Sequence, residues 1–123
     1  VNLMFPCKPD HPFVYWATLS YVGELIMAGA NCYTYDNGFL HAKGLSIDGR
    51  ACCYGTANMY IRSFALNFEV NAMIFDQNIA GEMERIFRED LKCCTRITKE
   101  MYKSRSVWIR FKEQISRLLS PVL

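Results

Sequence analysis

The chain is short of histidine, of net charge and of any long apolar run, and each shortage removes a class of function. Two histidines in 123 residues, His11 and His41, are too few to complete a zinc set around the cysteines. Fourteen Lys and Arg against twelve Asp and Glu leave a net charge of +2, too weak a field to mark a nucleic-acid binder. The longest apolar stretch, Phe13 to Ala30, is broken by Thr18, Ser20, Gly23 and Glu24, so it predicts a buried amphipathic helix rather than a membrane span. No stretch of these residues reads as a low-complexity tract, an internal repeat or a signal peptide. Six cysteines are present, but the pairs Cys52-Cys53 and Cys93-Cys94 lack the two-residue gap of zinc knuckles. Small apolar packing in a reducing cytoplasm is their expected use. With 51% apolar and 21% charged residues, the composition is that of a soluble globular protein, and the length predicts one domain with its own core.

Chemistry concentrates in HAKGLSIDGRACCYGTAN, residues 41–58. His41 and Lys43 are two apart, so on an extended strand imidazole and ammonium project from the same face. That pair suits a phosphodiester: imidazole can attack phosphorus or protonate a leaving oxygen, and a fixed ammonium offsets charge on the phosphoryl oxygens. Asp48-Gly49 predicts a tight turn between strands His41 to Ile47 and Ala51 to Tyr54, which brings Gly55, Thr56 and Asn58 back towards His41. There Gly55 allows close backbone approach, and the Thr56 hydroxyl and Asn58 amide can donate to a phosphate. Lys43 alone would be an ordinary surface lysine, and only its neighbours raise it. Turn preference explains Asp48 by itself, so its role is to fix the fold. His11, between Asp10 and Pro12 at an expected helix start, is structural.

The string fits HxK, four residues, Asp, six residues, Gly-[Ser/Thr]-x-Asn at all six specified positions, and resembles the HKD motif of the phospholipase D superfamily. The flanks NGFLHAK and GTANMYIRSFALNFEVN and the closing RLLSPVL are similar to the C-terminal motif region of bacterial cardiolipin synthases. The resemblance implies an α/β phospholipase D-like half, a mixed sheet flanked by helices, with 1–123 the C-terminal part of a longer two-motif chain. It implies transphosphatidylation between two phosphatidylglycerol molecules, giving cardiolipin and glycerol through a phosphohistidine, with no metal and no cofactor. His41, Lys43, Asp48 and Glu69 form the implied catalytic set, and Lys43, Thr56 and Asn58 the phosphate-binding set. Glu69 would accept a hydrogen bond from the second nitrogen of His41 and so fix its tautomer. Family order favours His41 as general acid and base, with the nucleophile on the other motif, although either role fits one histidine. The implied partners are anionic phospholipid and the N-terminal half of the same enzyme, or a second copy of this chain, with no nucleic acid. The full-length protein is expected at the bacterial cell membrane, its catalytic part cytoplasmic, and this segment soluble and at most weakly active. A single-motif dimeric nuclease and a non-catalytic scaffold half are the alternatives. Tyr60 departs from the pattern, standing where the family usually carries aspartate.

In chain order, Val1 to Phe5 predicts an apolar strand that begins abruptly, as if cut from a longer chain. A helix capped by Asp10 follows, with Val14, Ala17, Tyr21, Leu25 and Ala28 on one face and Gly29 as its end. Asn31 to Tyr35 is a second strand, and strand, helix, strand predicts a parallel pair. Arg62 and Phe64 fall in a short helix or loop, and Phe68 to Phe75 is a strand carrying Glu69, giving about five strands. Asp76 or Asn78 opens a helix striped by Ile79, Met83, Ile86, Phe87 and Leu91. Val107 to Leu119 is helical, with Trp108, Phe111, Ile115, Leu118 and Leu119 on one face. Because Arg96, Lys99, Lys103, Arg105, Arg110, Lys112 and Arg117 outnumber Glu100 and Glu113 in this region, that face can pack on the sheet or lie on anionic lipid. Packing into the core is the expected reading.

Overall fold

A computed structural model describes residues 1–8, 12–58, 63 and 67–119. Asp10, His11, Tyr60, Arg62 and Phe64 lie outside the described residues. The chain divides into two compact units, Val1–Leu40 with Cys94–Leu123, and His41–Cys93.

In the first unit, β1 (Asn2–Pro6), α1 (Pro12–Met27) and β2 (Asn31–Tyr35) form the expected parallel pair, Asn2 opposite Asn31 through Pro6 opposite Tyr35. α1 stops because Gly29 takes φ +89°, which lets Ala30 N–H reach Leu25 C=O (2.9 Å) and Gly29 N–H reach Ile26 C=O (3.1 Å). A strand the sequence reading missed, β6 (Cys94–Ile97), pairs antiparallel with β2 and makes this sheet mixed. Side chains tie the three strands: Arg96 donates to Asn31 Oδ1 (2.6 Å), and Asn31 donates to Asn2 Oδ1 (3.0 Å). Cys32, wholly buried, fills the middle strand as a small apolar side chain.

Two further helices, α3 (Lys99–Lys103) and α4 (Val107–Leu119), complete this unit, and α4 packs against α1. Tyr102 lies where a Cβ at Gly23 would stand, and its hydroxyl reaches the carbonyls of Leu19 (3.3 Å) and Ser20 (3.2 Å). Here the expected orientation of α4 is overturned. Its buried residues are Glu113, at 2% exposure, and Ser116, while Trp108, Phe111, Ile115, Leu118 and Leu119 are exposed. The reason is a polar pairing: Arg105 donates to the Glu113 carboxylate and stacks 3.4 Å from the centre of the Tyr102 ring, so the acid enters the helix contact with its own cation. Of the expected stripe of α1, Ala17 is buried, Val14, Tyr21 and Leu25 are half-buried, and Ala28, past the end of the helix, is exposed; Ser20 and Val22 are buried as well.

The second unit holds the antiparallel sheet β3 (Gly44–Ile47), β4 (Ala51–Gly55) and β5 (Asn71–Ile74). Asp48 and Gly49 take φ +50° and +61° at the hairpin, closed by Arg50 N–H to Ile47 C=O (2.9 Å). α2 (Gln77–Leu91) packs on β3 and β4, and Asp76 caps it by accepting from Asn78 N–H and Ile79 N–H, each at 2.9 Å. Ala80 is its buried centre, with Met83, Phe87 and Leu91 half-buried, whereas Ile79 and Ile86 of the expected stripe are exposed. The α/β class therefore holds, with six strands among the described residues in two sheets rather than about five in one.

Candidate active site

His41 and Lys43 precede β3 instead of standing on it, so the expected strand is three residues shorter at this end. The backbone there is still anchored: Gly55 N–H donates to Lys43 C=O (3.2 Å), and the Tyr54 ring covers Gly44, leaving no room for a Cβ. The pair meets as the two-residue spacing predicts. Lys43 Nζ lies 2.8 Å from each ring nitrogen of His41 and 2.9 Å from its carbonyl oxygen. A neutral imidazole has one acceptor nitrogen, so Lys43 donates to one of them at a time and the tautomer decides which.

Glu69 also precedes its strand, β5, instead of lying on it. It gathers three neutral donors: Thr56 Oγ1 to Oε2 (2.5 Å), Ser63 Oγ to Oε1 (2.8 Å) and Asn67 Nδ2 to Oε1 (3.2 Å). Those bonds, the one from Thr56 above all, hold its carboxyl below the usual carboxylate range, and the Lys43 charge adds to the lowering. The ammonium that touches His41 therefore also acts electrostatically on Glu69. Thr56 is fixed from several sides, since its N–H donates to Val70 C=O (3.0 Å) and its hydroxyl accepts from Val70 N–H (3.0 Å). Gly55 is required at this crossing, because a Cβ there would overlap the Val70 carbonyl and Asn71. Of the expected phosphate ligands, Thr56 has its single hydroxyl proton on Glu69, so phosphate contact from that proton requires the bond to be exchanged.

Ser63 and Asn67 are the members that sequence reasoning missed. Ser63 is only 4% exposed and bridges two parts of the site, accepting from Asn58 N–H (3.3 Å) while donating to Glu69. The available signal was a hydroxyl inside the apolar flank between Asn58 and Glu69, where burial demands a partner. Asp48 stands apart from this group, at the hairpin tip. The four residues of β3 separate it from Lys43, five steps or about 16 Å of extended chain. Its observable contribution is the left-handed turn conformation. All six cysteines are free thiols, and among the described residues no cluster of His, Cys, Asp or Glu has the arrangement of a metal site.

The resulting array is an imidazole, an ammonium and a hydrogen-bonded carboxylate in the segments that lead into β3 and β5, groups whose chemistry suits phosphoryl transfer. Residues 1–91 match the family described as cardiolipin synthase, PLD-like domain. Over all 123 residues the chain is 56% identical to the cardiolipin synthase of Oceanobacillus iheyensis, 57% to the major cardiolipin synthase ClsA of Bacillus subtilis and 56% to a cardiolipin synthase of Staphylococcus aureus. It covers 26%, 26% and 25% of their lengths, so the chain spans about a quarter of each relative. No solved structure matches it. On the family match and the identity along its whole length, the chain belongs to the cardiolipin synthase, PLD-like domain family.

Proposed function

We propose that this chain is the C-terminal catalytic half of a cardiolipin-forming phosphatidyltransferase, supplying one of two histidines that act on the same phosphorus. The observation that carries the reading is the Lys43 ammonium, held against the His41 ring and acting on a Glu69 carboxylate that Thr56, Ser63 and Asn67 keep ionised. A histidine on the N-terminal half attacks the phosphorus of one phosphatidylglycerol, and His41, as imidazolium with Lys43 turned from the ring to the phosphoryl oxygens, gives its proton to the departing glycerol oxygen. The phosphorus–glycerol oxygen bond breaks, leaving phosphatidyl-histidine. His41, now neutral, takes the proton from a hydroxyl of a second phosphatidylglycerol, whose oxygen displaces the histidine and forms cardiolipin. Glu69 orients the imidazole, Lys43 and Asn58 offset the phosphoryl charge with Thr56 beside them, and Asp48 keeps the hairpin.

One histidine makes half a site, so this half needs a partner. Leu45, Ile47, Phe68, Val70, Met73 and Phe75 are exposed in the unit that carries His41, an apolar surface of the kind the N-terminal half, or a second copy, would cover. We place the full-length enzyme at the bacterial cell membrane with this half on the cytoplasmic side. No described helix is long and apolar enough to cross a membrane. The test is to join the chain to its N-terminal half and supply phosphatidylglycerol, single-stranded DNA and a generic phosphodiester in parallel. Cardiolipin and glycerol in equal amounts are the expected products, and DNA cleavage without lipid product would overturn the reading in favour of a nuclease.

A further inference from the structure

We infer that the exposed face of α4 docks on the surface of an anionic phospholipid bilayer. Val107, Trp108, Phe111, Ile115 and Leu118 recur at helical spacing and are all exposed, Trp108 at 75% and Leu118 at 82%. The opposite side of the helix is already used, since Glu113 and Ser116 are buried and α4 packs on α1. Core packing therefore does not explain the apolar face. Trp108 and Phe111 meet edge to face, with centroids 6.4 Å apart, and such a pair is suited to the boundary between headgroups and acyl chains.

Charge decides which occupant fits. Between residues 99 and 119, Lys99, Lys103, Arg105, Arg110, Lys112 and Arg117 face only Glu100 and Glu113, a surplus of four where the whole chain has a surplus of two. Arg105 is matched by Glu113 and Arg117 by Glu24 (2.6 Å). On the wheel of α4, Lys112 and Arg110 stand on either side of the apolar stripe, Lys112 with its Nζ 5.8 Å over the Trp16 ring. A second copy meeting this face around a twofold axis would set those cations against themselves. An anionic surface answers both the apolar stripe and its flanks. At 13 residues α4 is about 20 Å long, enough to lie in the interface plane and too short to span. The surface belongs to the unit without His41, so the inference stands whether or not that histidine is catalytic.

The experiment is co-sedimentation of the whole chain with vesicles of phosphatidylserine and phosphatidylcholine, against pure phosphatidylcholine, choosing an anionic lipid other than the proposed substrate. The chain should sediment with the anionic vesicles and far less with the neutral ones. Trp108→Ser combined with Phe111→Ser should weaken partitioning roughly tenfold or more. Arg110→Gln and Lys112→Gln should each weaken it about fivefold. With Trp16→Phe leaving Trp108 as the sole tryptophan, its emission should shift to the blue on anionic vesicles. Both doubly exposed positions tolerate polarity, so melting of the serine variant should stay at the parent value and confirm that it is folded. The inference is overturned if the parent stays in the supernatant, if the serine variant binds equally well, or if light scattering finds a dimer that the serine substitutions dissolve, which would give the face to a second copy.

Discussion

Each unit of the chain contains one carboxylate that governs its surroundings, and the two are treated in opposite ways. Glu69, in the His41 unit, is held ionised by three neutral donors beside Lys43. Glu113, in the other unit, is buried under α4, and burial raises its carboxyl above the usual range even though Arg105 and Arg110 oppose the shift. A carboxylate meant to act on a neighbour needs its charge available, and neutral hydroxyl and amide donors preserve that charge without cancelling it. A carboxylate that fixes a helix contact needs only to be matched. The difference separates a site from a structural pair more sharply than the presence of a perturbed carboxylate alone.

The largest stability effect should come from breaking the structural pair. Arg105→Met leaves Glu113 buried without its cation and should cost about 3 to 5 kcal/mol in denaturant unfolding, while the titration of Glu69 stays where it was. A loss below about 1 kcal/mol, the level of an exposed pair, would show that Glu113 is effectively solvated and that the contrast fails. Next is Ser63→Ala, which removes a buried donor to Glu69 and should cost about 1 to 3 kcal/mol. It should also move the Glu69 carboxyl upward, which simple loss of packing would not do, so an unmoved titration would reduce Ser63 to a filler of space.

The pH dependence sharpens the same contrast through its sign. The carboxyl of Glu69 is lowered in the folded chain, so its contribution is present above the unfolded value and is lost as pH falls through the folded one. The carboxyl of Glu113 is raised, so its contribution is present below the unfolded value and is lost as pH rises through the folded one. Carboxyl-carbon NMR titration should therefore find Glu69 below and Glu113 above the usual range, and the same order for both would break the comparison. The smallest effect concerns Ser46, whose buried Oγ has no hydrogen-bond partner among the described residues. Ser46→Ala should leave the site untouched and raise stability by about 1 kcal/mol. A loss in thermal melting would mean that the hydroxyl is satisfied.

Legibility in the sequence followed the range of the interactions involved. The His41–Lys43 contact, the Asp48-Gly49 turn, the Asp76 cap and the span of α4 are local, and each was readable from spacing and turn chemistry. The β1–β2 parallel pair followed from strand, helix, strand order. β6 was hidden because CTRI has no alternation and depends on β2 for its pairing. The wrong face of α4 has a comparable origin: its periodicity gave the stripe correctly, but its packing on α1 and the match of Arg105 to Glu113, eight residues on, settle which side turns inward. Ser63 and Asn67 act through a carboxylate whose loop position no period encodes.

The proposed function requires His41 to be chemically essential to a site that this unit half builds. The most direct measurement is turnover of the chain joined to its N-terminal half, comparing parent and His41→Ala with thermal melting followed in parallel. Loss of a general acid or nucleophile should reduce the rate at least about a hundredfold with melting unchanged, because His41 is exposed and its removal opens no cavity. A His41→Ala enzyme that melts normally and keeps the parent rate would contradict the account.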